Sequence, residues 1–331
     1  MSVKSELMNL FLAKKGEYLS GEELAEQLGC SRTAVWKAVK QLREEGCEIT
    51  AAQNRGYALA AETDMLSRQE IERWLQDPEV TVNVYQEIGS TNDALKQMAL
   101  TEHAKAGTVA VSDYQTGGKG RLGRRFFSPK GTGLYLSLLL RPETAVTDNL
   151  ILTAQAAVAV YRAVKRVCDI DLSIKWVNDL YLGTRKVCGI LSEGQANFET
   201  GRLDFVVVGL GVNVFEPEEG FPAEIRNRAG SLLGKRSGGR RVDRNHLAAE
   251  IIREFYQLAG QKTLAPEYIE RNMVPGHEIV VIDGEKRRSA KATGIAEDGR
   301  LLIEEADGSQ NALVYGEVSV RLAENGQEVE R

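Results

Sequence analysis

Apolar positions in the first sixty residues recur at helical spacing in three bursts. Leu7, Met8, Leu10 and Phe11 form the first, which Lys14-Lys15-Gly16 ends. Leu24, Ala25 and Leu28 form the second, and Ser20 with Glu23 three residues later predicts a capping box in front of them. Gly29-Cys30 turns the chain, and Ser31 is placed to cap a third helix through Val35, Trp36, Val39 and Leu42. Glu48 to Ala52 and Gly56 to Leu59 then read as two short strands around Gln53-Asn54-Arg55, which puts Arg55 at a hairpin tip. Three helices followed by a hairpin make a winged helix-turn-helix pattern.

Downstream the period changes. Ala60 to Asp64 is polar and aperiodic, and a helix is predicted from Ser67 to Leu75. Val80, Val82 and Val84 alternate, as do Leu172, Ile174 and Trp176; Val109 to Ser112, Leu134 to Leu140 and Phe205 to Val208 are apolar strand runs. Leu150 to Val167 reads as a long apolar helix, and Asp243 is placed to cap another that carries Leu247, Ile251 and Phe255. Short strands mixed with a few longer helices indicate an α+β section. Beyond about Met273, Asp283-Gly284, Asp298-Gly299 and Asp307-Gly308 separate short strands, which predicts hairpins in a small all-β barrel. Gly230 to Gly239, with Lys235, Arg236, Arg240 and Arg241, reads as a mobile surface loop.

Composition narrows the function classes. At 331 residues, 43% hydrophobic and 27% charged, the chain can form two or three domains with a sizeable core. A formal net charge of −5 argues against a general polyanion binder, so any nucleic-acid contact has to come from local segregation of charge. Such segregation occurs on the third predicted helix, where Arg32, Lys37, Lys40 and Arg43 precede any acid. With Thr33 beside them and Arg55 on the wing, these are the candidate DNA contacts; the competing reading is a protein-interaction module with a solvated basic face. Cys30, Cys47, Cys168 and Cys188 lie far apart without a metal-binding spacing and are read as reduced thiols. His103, His246 and His277 are isolated, so catalysis is expected to rest on Lys, Arg and backbone groups, with no protein-held metal. Neither a leader segment nor a membrane-length apolar run is present, and a cytoplasmic protein with no membrane partner is expected.

The chemistry-bearing stretch is Gln115-Thr116-Gly117-Gly118-Lys119-Gly120-Arg121-Leu122-Gly123-Arg124-Arg125. Glycine lets backbone amides approach a ligand, while Lys and Arg offer a point charge and a planar fork, so the run suits an anion. By itself such a run is more often a solvated loop or a nucleic-acid tether than an active site. Its flanks are strand runs, which makes it a long connection inside a folded domain, and Lys175-Trp176-Val177-Asn178-Asp179 is a second polar cluster at a strand end.

Six segments in order carry a resemblance: the winged helix, Gly89-Ser90-Thr91-Asn92, Tyr114-Gln115 with Gly118-Lys119-Gly120-Arg121, Lys175 to Asp179, Gly209-Leu210-Gly211-Val212-Asn213, and Gly316-Glu317-Val318-Ser319-Val320-Arg321. Together they resemble the bacterial bifunctional biotin protein ligases and biotin-operon repressors along essentially the whole chain. Two positions depart from the family pattern: Lys119 replaces an Arg, and Val177 replaces a Pro. The resemblance implies a multidomain α+β fold: a winged helix-turn-helix over 1–63, a biotin ligase-type catalytic domain with a mixed sheet over 67–270, and an SH3-like β-barrel over 271–325. It implies adenylation of biotin by ATP with Mg²⁺, then transfer of biotin to a lysine of the biotin carboxyl carrier domain of acetyl-CoA carboxylase. It further implies a homodimer that, with biotinyl-5′-AMP as corepressor, binds operator DNA upstream of biotin genes.

In that reading Lys175 and Arg121 are catalytic, and Ser90, Thr91, Asn92, Gln115, Gly118, Lys119, Gly120 and Gly189 join them around biotin and the adenylate. The ureido ring of biotin has two donors and a strong acceptor, and burying it without partners costs about 2–7 kcal/mol, which is the task for the Ser90 to Asn92 and Gln115 group. Ser90 or Thr91 can also cap a helix beginning near Asn92. Because water destroys an acyl-adenylate, the glycine-rich loop is expected to order over it, with residues 216 to 242 as a second candidate cover. Asp179 is weighed as a base for the acceptor lysine against a structural ion pair or turn hydrogen bond. The alternatives kept open are a biotin-responsive regulator without ligase activity, a ligase without an operator, and a lipoyl ligase of similar fold.

Overall fold

The computed structural model describes residues 3–44, 47–60, 63–142, 149–197, 202–239, 241–283, 286–314, 319–324 and 327–328. The chain divides into two units, Met1–Gln76 with Asp243–His246, and Asp77–Val242 with Leu247–Arg331.

In the first unit, helices α1 (Val3–Ala13), α2 (Gly21–Gln27) and α3 (Arg32–Glu44) are followed by the hairpin of β1 (Ile49–Ala52) and β2 (Gly56–Leu59). The predicted capping box forms: Ser20 Oγ accepts from the Glu23 amide at 3.1 Å, and Glu23 accepts from the Ser20 amide at 3.0 Å. Ser31 accepts from the Ala34 amide at 3.2 Å, opening α3 as expected. Leu7, Phe11, Leu24, Val35, Val39 and Leu59 close one apolar core. Trp36, expected with that apolar face, is instead 53% exposed. Val35, Ala38, Val39 and Leu42 fill the i, i+3, i+4, i+7 stripe, and position 36 falls outside it.

Helix α4 (Arg68–Leu75), N-capped by Ser67, groups with this unit, whereas the sequence boundaries of 1–63 and 67–270 set it apart. Polar ties explain the grouping. Lys15 Nζ donates to the Thr63 carbonyl and pairs with the buried Glu70 at 3.1 Å, and Arg244 Nε reaches Asp64 at 2.8 Å. Asn245 Oδ1 accepts from the Ser67 amide at 2.9 Å.

Among the described residues of the second unit, seven strands form one mixed sheet in the order β3-β4-β5-β9-β8-β7-β6. They are β3 (Thr81–Tyr85), β4 (Thr108–Ser112), β5 (Gly133–Leu140), β6 (Ser173–Lys175), β7 (Asp179–Leu182), β8 (Arg185–Asn197) and β9 (Arg202–Asn213). β3 and β4 run parallel and the other pairs antiparallel. Helix α5 (Thr91–Thr101) makes the β3–β4 crossover and packs Leu95 and Ala99 on Ala110, Leu139 and Val207. Helix α6 (Asn149–Cys168) is apolar nearly all round and is buried accordingly, with Ala154, Ala157, Val160 and Val164 inaccessible.

The segment expected to be a mobile loop at 230–239 is more structured than its composition suggests. Leu232 and Leu233 are buried, and β11 (Leu233–Lys235) pairs in parallel with β10 (Phe215–Glu216); Arg240 lies outside the described residues. Two apolar side chains between the glycines supply the burial. Helices α7 (Arg244–Ala259) and α8 (Pro266–Glu270) lead to the C-terminal domain. Its described strands are β12 (Glu278–Asp283), β13 (Lys286–Ile295), β14 (Leu301–Glu305), β15 (Gln310–Leu313), β16 (Ser319–Glu324) and β17 (Gln327–Glu328), in the antiparallel order β15-β14-β13-β12-β16-β17. This is the small β domain expected there. Gly299 and Gly308 turn with φ of +87° and +82°, as their Asp-Gly positions predict, while Gly284 lies outside the described residues.

Replacing Ser20 by Ala removes the N-cap acceptor and should lower the opening free energy of the α2 amides by about 1 kcal/mol in native-state hydrogen exchange. Unchanged protection would show that the box does not hold α2.

Candidate active site and nucleic-acid interface

The N-terminus of α5 delivers three buried polar side chains to one place. Ser90 caps the helix, its Oγ accepting from the Asp93 amide at 3.4 Å, and Thr91 and Asn92 follow in the first turn. Gln115 Oε1 accepts from the Thr91 amide at 2.9 Å, and Gln115 Nε2 donates to Ser128 Oγ at 3.1 Å. Ser137 Oγ on β5 lies 2.7 Å from Thr91 Oγ1 and 2.6 Å from Asn92 Oδ1. Asn92 Nδ2 in turn donates to Glu193 on β8 at 2.8 Å. Ser90 therefore caps α5 within one polar network, and protein partners engage both ends of the Asn92 and Gln115 amides.

The network borders a cavity of about 280 Å³, near the lower end of the roughly 300–1,000 Å³ usual for small-molecule sites. Its floor is glycine. Gly189 on β8 pairs with Gly211 on β9, and Leu191 pairs with Gly209. A Cβ on Gly211 would lie 2.5 Å from the Phe126 ring, and one on Gly209 would lie 2.1 Å from Asn92 Oδ1. Only strands without side chains at these positions admit the ring and the amide.

The glycine-rich loop between β4 and β5 folds back on itself. The Gly120 amide donates to the Arg124 carbonyl at 2.8 Å and the Phe126 amide to the Gly118 carbonyl at 2.9 Å. At its tip Leu122 and Gly123 take φ of +55° and +72°. Lys119, Gly120 and Arg121 line the cavity. Gly118, expected among the ligand contacts, does not: a Cβ there would lie 2.5 Å from the Phe126 carbonyl and 2.6 Å from Ser128 Oγ, so this glycine serves close packing behind the loop.

Opposite the loop, Lys175 ends β6. It is 7% exposed, with its ammonium 5.8 Å from the Tyr181 ring centroid. Burial raises the Tyr181 phenol well above its ordinary value, so that ring stays neutral. Arg121 Nη1 donates to Asn178 Oδ1 at 3.2 Å, and Asn178 Nδ2 donates to the Ile190 carbonyl at 2.8 Å, bracing the guanidinium from β8. Asp179 pairs with Lys186 at 2.6 Å, the structural ion pair weighed for it. Lys119 pairs with Asp93 at 2.7 Å, and Lys96 reaches the same carboxylate at 3.0 Å. Burial pushes the Asp93 carboxyl up, but its two lysine partners outweigh that and hold it below the usual range.

The cavity thus gathers Ser90, Thr91, Asn92, Gln115, Lys119, Gly120, Arg121, Lys175 and Gly189 from four separate stretches of sequence. Sequence reasoning did not assign Phe126, Lys186, Gly209 or Gly211 to it. The Gly-x-Gly at 209–211 carried the signal, since residues two apart in a strand face the same side. Among the described residues, no three metal-ligating side chains cluster, and no helix is long and apolar enough to cross a membrane. None of the four cysteines is joined in a disulfide, and burial raises the Cys188 thiol far above its usual value.

In the first unit, Arg32, Thr33, Lys37 and Lys40 are exposed along α3, and exposed Trp36 lies in the same stripe with Lys40 Nζ 5.9 Å from its centroid. Arg43 is exposed as well, yet its Nε donates to the Ile49 carbonyl at 2.8 Å, tying α3 to the wing. Arg55 stacks on Tyr18 at 4.4 Å, which holds its guanidinium at the hairpin tip.

Residues 84–213 match the biotin/lipoate A/B protein ligase family, 4–58 an HTH domain, and 276–321 the biotin protein ligase C-terminal domain. The chain is 33% identical over 323 residues to the bifunctional ligase/repressor BirA of Escherichia coli, covering 95% of this chain and 96% of that one. It is 32% identical over 320 residues to the Bacillus spizizenii protein of the same name, covering 93% and 95%. This chain belongs to the BirA family of bifunctional ligase/repressors. Among solved structures, the Aquifex aeolicus biotin protein ligase in complex with biotin and ATP aligns with a TM-score of 0.61 at 29% identity, over 73% of this chain and 99% of that one. That extent agrees with a BirA-family chain carrying a helix-turn-helix ahead of a ligase fold.

Because Gly211 has no room for a side chain, Gly211→Ala should displace Phe126 and lower stability by about 1–3 kcal/mol in chemical denaturation. Gly234→Ala, where a Cβ meets nothing within 4 Å, is the control expected to change little. Equal stabilities for the two variants would show that Phe126 is not held by the floor.

Proposed function

We propose that this chain is an ATP-dependent biotin protein ligase that forms biotinyl-5′-AMP and transfers biotin to a lysine of the biotin carboxyl carrier domain of acetyl-CoA carboxylase. With biotinyl-5′-AMP as corepressor, it represses biotin genes as a DNA-bound cytoplasmic homodimer. The observation that carries the ligase reading is the convergence of Lys175 and Arg121 on a glycine-floored cavity whose far wall is the Ser90–Gln115 network.

In the first step a carboxylate oxygen attacks the α-phosphorus of ATP; the acyl–phosphate bond forms as the bond to pyrophosphate breaks. Two anions must meet, so the catalytic work is neutralisation and alignment. Lys175, buried at the end of β6, neutralises the carboxylate and α-phosphate oxygens. Arg121, braced by Asn178, clamps the mixed anhydride and retains it. Thr91, Asn92 and Gln115 meet the ureido ring, and the bicyclic body lies against Phe126, whose ring covers Gly189 and Gly211. Mg²⁺ would arrive with ATP, held by phosphate and water oxygens rather than by Asp179, which is paired with Lys186, and would add positive charge to a cavity lined by Lys175, Arg121 and Lys186. In the second step the carrier lysine amine attacks the acyl carbon and AMP leaves.

The repressor reading rests on the exposed basic stripe of α3 and on Arg55, pre-oriented by Tyr18.

Biotin-dependent exchange of labelled pyrophosphate into ATP tests the ligase. Lys175→Ala and Arg121→Ala should each lower it on the order of a hundredfold or more. Exchange that ignores biotin, or survives both substitutions, would defeat the assignment. For DNA, Arg55→Ala should weaken binding to the protein's own promoter and reduce the salt slope by about one. A slope equal to the parent's would remove Arg55 from the phosphate contacts.

A further inference from the structure

Lys175 is held from outside its own sheet. β6 is the edge strand, paired on one side with β7 through Ile174↔Leu180 and Lys175↔Asp179. Its other side is taken by the segment that enters the C-terminal domain. The Ile174 amide donates to the Arg271 carbonyl at 2.8 Å, and the Met273 amide donates to the Ile174 carbonyl at 2.8 Å. Immediately after the lysine, the Trp176 indole Nε1 donates to the Gly299 carbonyl at 2.9 Å, a buried bond spanning 123 positions. One residue further, the Tyr268 hydroxyl donates to the Val177 carbonyl at 2.9 Å, also buried.

Each partner is itself fixed. Gly299 turns with φ of +87°, and a Cβ there would lie 3.0 Å from Leu150 Cγ, so the turn is seated on α6. Its amide donates to the Ala296 carbonyl at 2.9 Å, closing the hairpin between β13 and β14. Tyr268 is fully buried and Trp176 is 4% exposed, so neither hydrogen bond competes with water. A lysine side chain has four rotatable bonds and cannot choose its own position; the backbone on both sides of it must be fixed if the ammonium is to meet developing charge at one point.

We propose that Trp176 and Tyr268 are positioning residues for adenylation: through Gly299 and α8 they clamp the backbone that carries Lys175, so the C-terminal β domain sets the geometry of the reacting centre. The proposal rests on Lys175 acting in adenylation as inferred above.

The test uses the full-length chain with Tyr268→Phe, which keeps the ring and deletes the hydroxyl donor, and Trp176→Phe, which keeps an aromatic ring but deletes the indole N–H together with part of the indole. Pyrophosphate exchange should fall on the order of tenfold to a hundredfold in kcat while KM for biotin stays within about twofold, because biotin is held by the network on α5 and β5. Hydrogen exchange of the amides from Ile174 to Asn178 should speed up, with those of Val206 to Val208 on β9 unchanged. A parent-like kcat in both variants, or a loss that appears in KM for biotin, would overturn the proposal. So would unaltered exchange at Ile174 to Asn178. If Lys175→Ala retains full activity, the catalytic assignment of Lys175 fails, and the amide exchange still reports whether the clamp exists.

Discussion

A layer of buried polar side chains beneath α5 is the constraint around which the catalytic domain is arranged. Asn92, Thr91 and Ser137 are almost inaccessible to water, so each must find partners inside the protein or cost about 1–3 kcal/mol. They find them on β5, on β8 and in the loop after β4, through Ser137, Glu193 and Gln115. Three elements distant in sequence are thereby registered against one helix N-terminus. Asn92 also needs the space that Gly209 leaves open, so the glycine in β9 and the amide on α5 require each other.

Charge is distributed around that layer with equal economy. Glu193 receives Asn92 and Lys96, Lys96 also reaches Asp93, and Asp93 holds Lys119 of the glycine-rich loop. The loop cation is therefore linked to the sheet through alternating charges. The lysine partners of Asp93 outweigh its burial and hold its carboxyl below the usual range, so the link persists at neutral pH and is lost only in acid. The ammonium of Lys175 and the guanidinium of Arg121 reach the cavity from the other side, on a strand end and on a loop tip respectively.

Local signals were legible wherever a short-range rule decides. The Ser20–Glu23 box, the Ser31 cap, the Arg55 hairpin tip and the Asp-Gly turns at 298 and 307 all follow from a few adjacent residues. Nine of the ten residues proposed around the ligand line one cavity, and eight of those nine, all but Gly189, lie in the ordered motifs that carried the family resemblance. Gly118 does not, since whether a loop glycine faces a ligand or a neighbouring carbonyl depends on how Phe126 and Ser128 return past it. Trp36 shows the limit of counting apolar residues, because an aromatic side chain one position off the buried stripe is carried to the surface. The grouping of α4 with the winged helix depended on Lys15–Glu70 and Arg244–Asp64, contacts between residues 55 and 180 positions apart that periodicity does not encode.

Phe126 gives the floor of the cavity another meaning. Across Gly189 and Gly211 the sheet surface is bare backbone, which has little apolar area of its own to bury. The ring of Phe126 covers both glycines, so a residue of the loop acts as the side chain that the two strands lack. Loop and sheet are in this respect a single surface made from two pieces of chain. Any rearrangement that lifts residues 118 to 126 also uncovers the strands, so the loop is restrained by the sheet it covers as well as by its own hydrogen bonds.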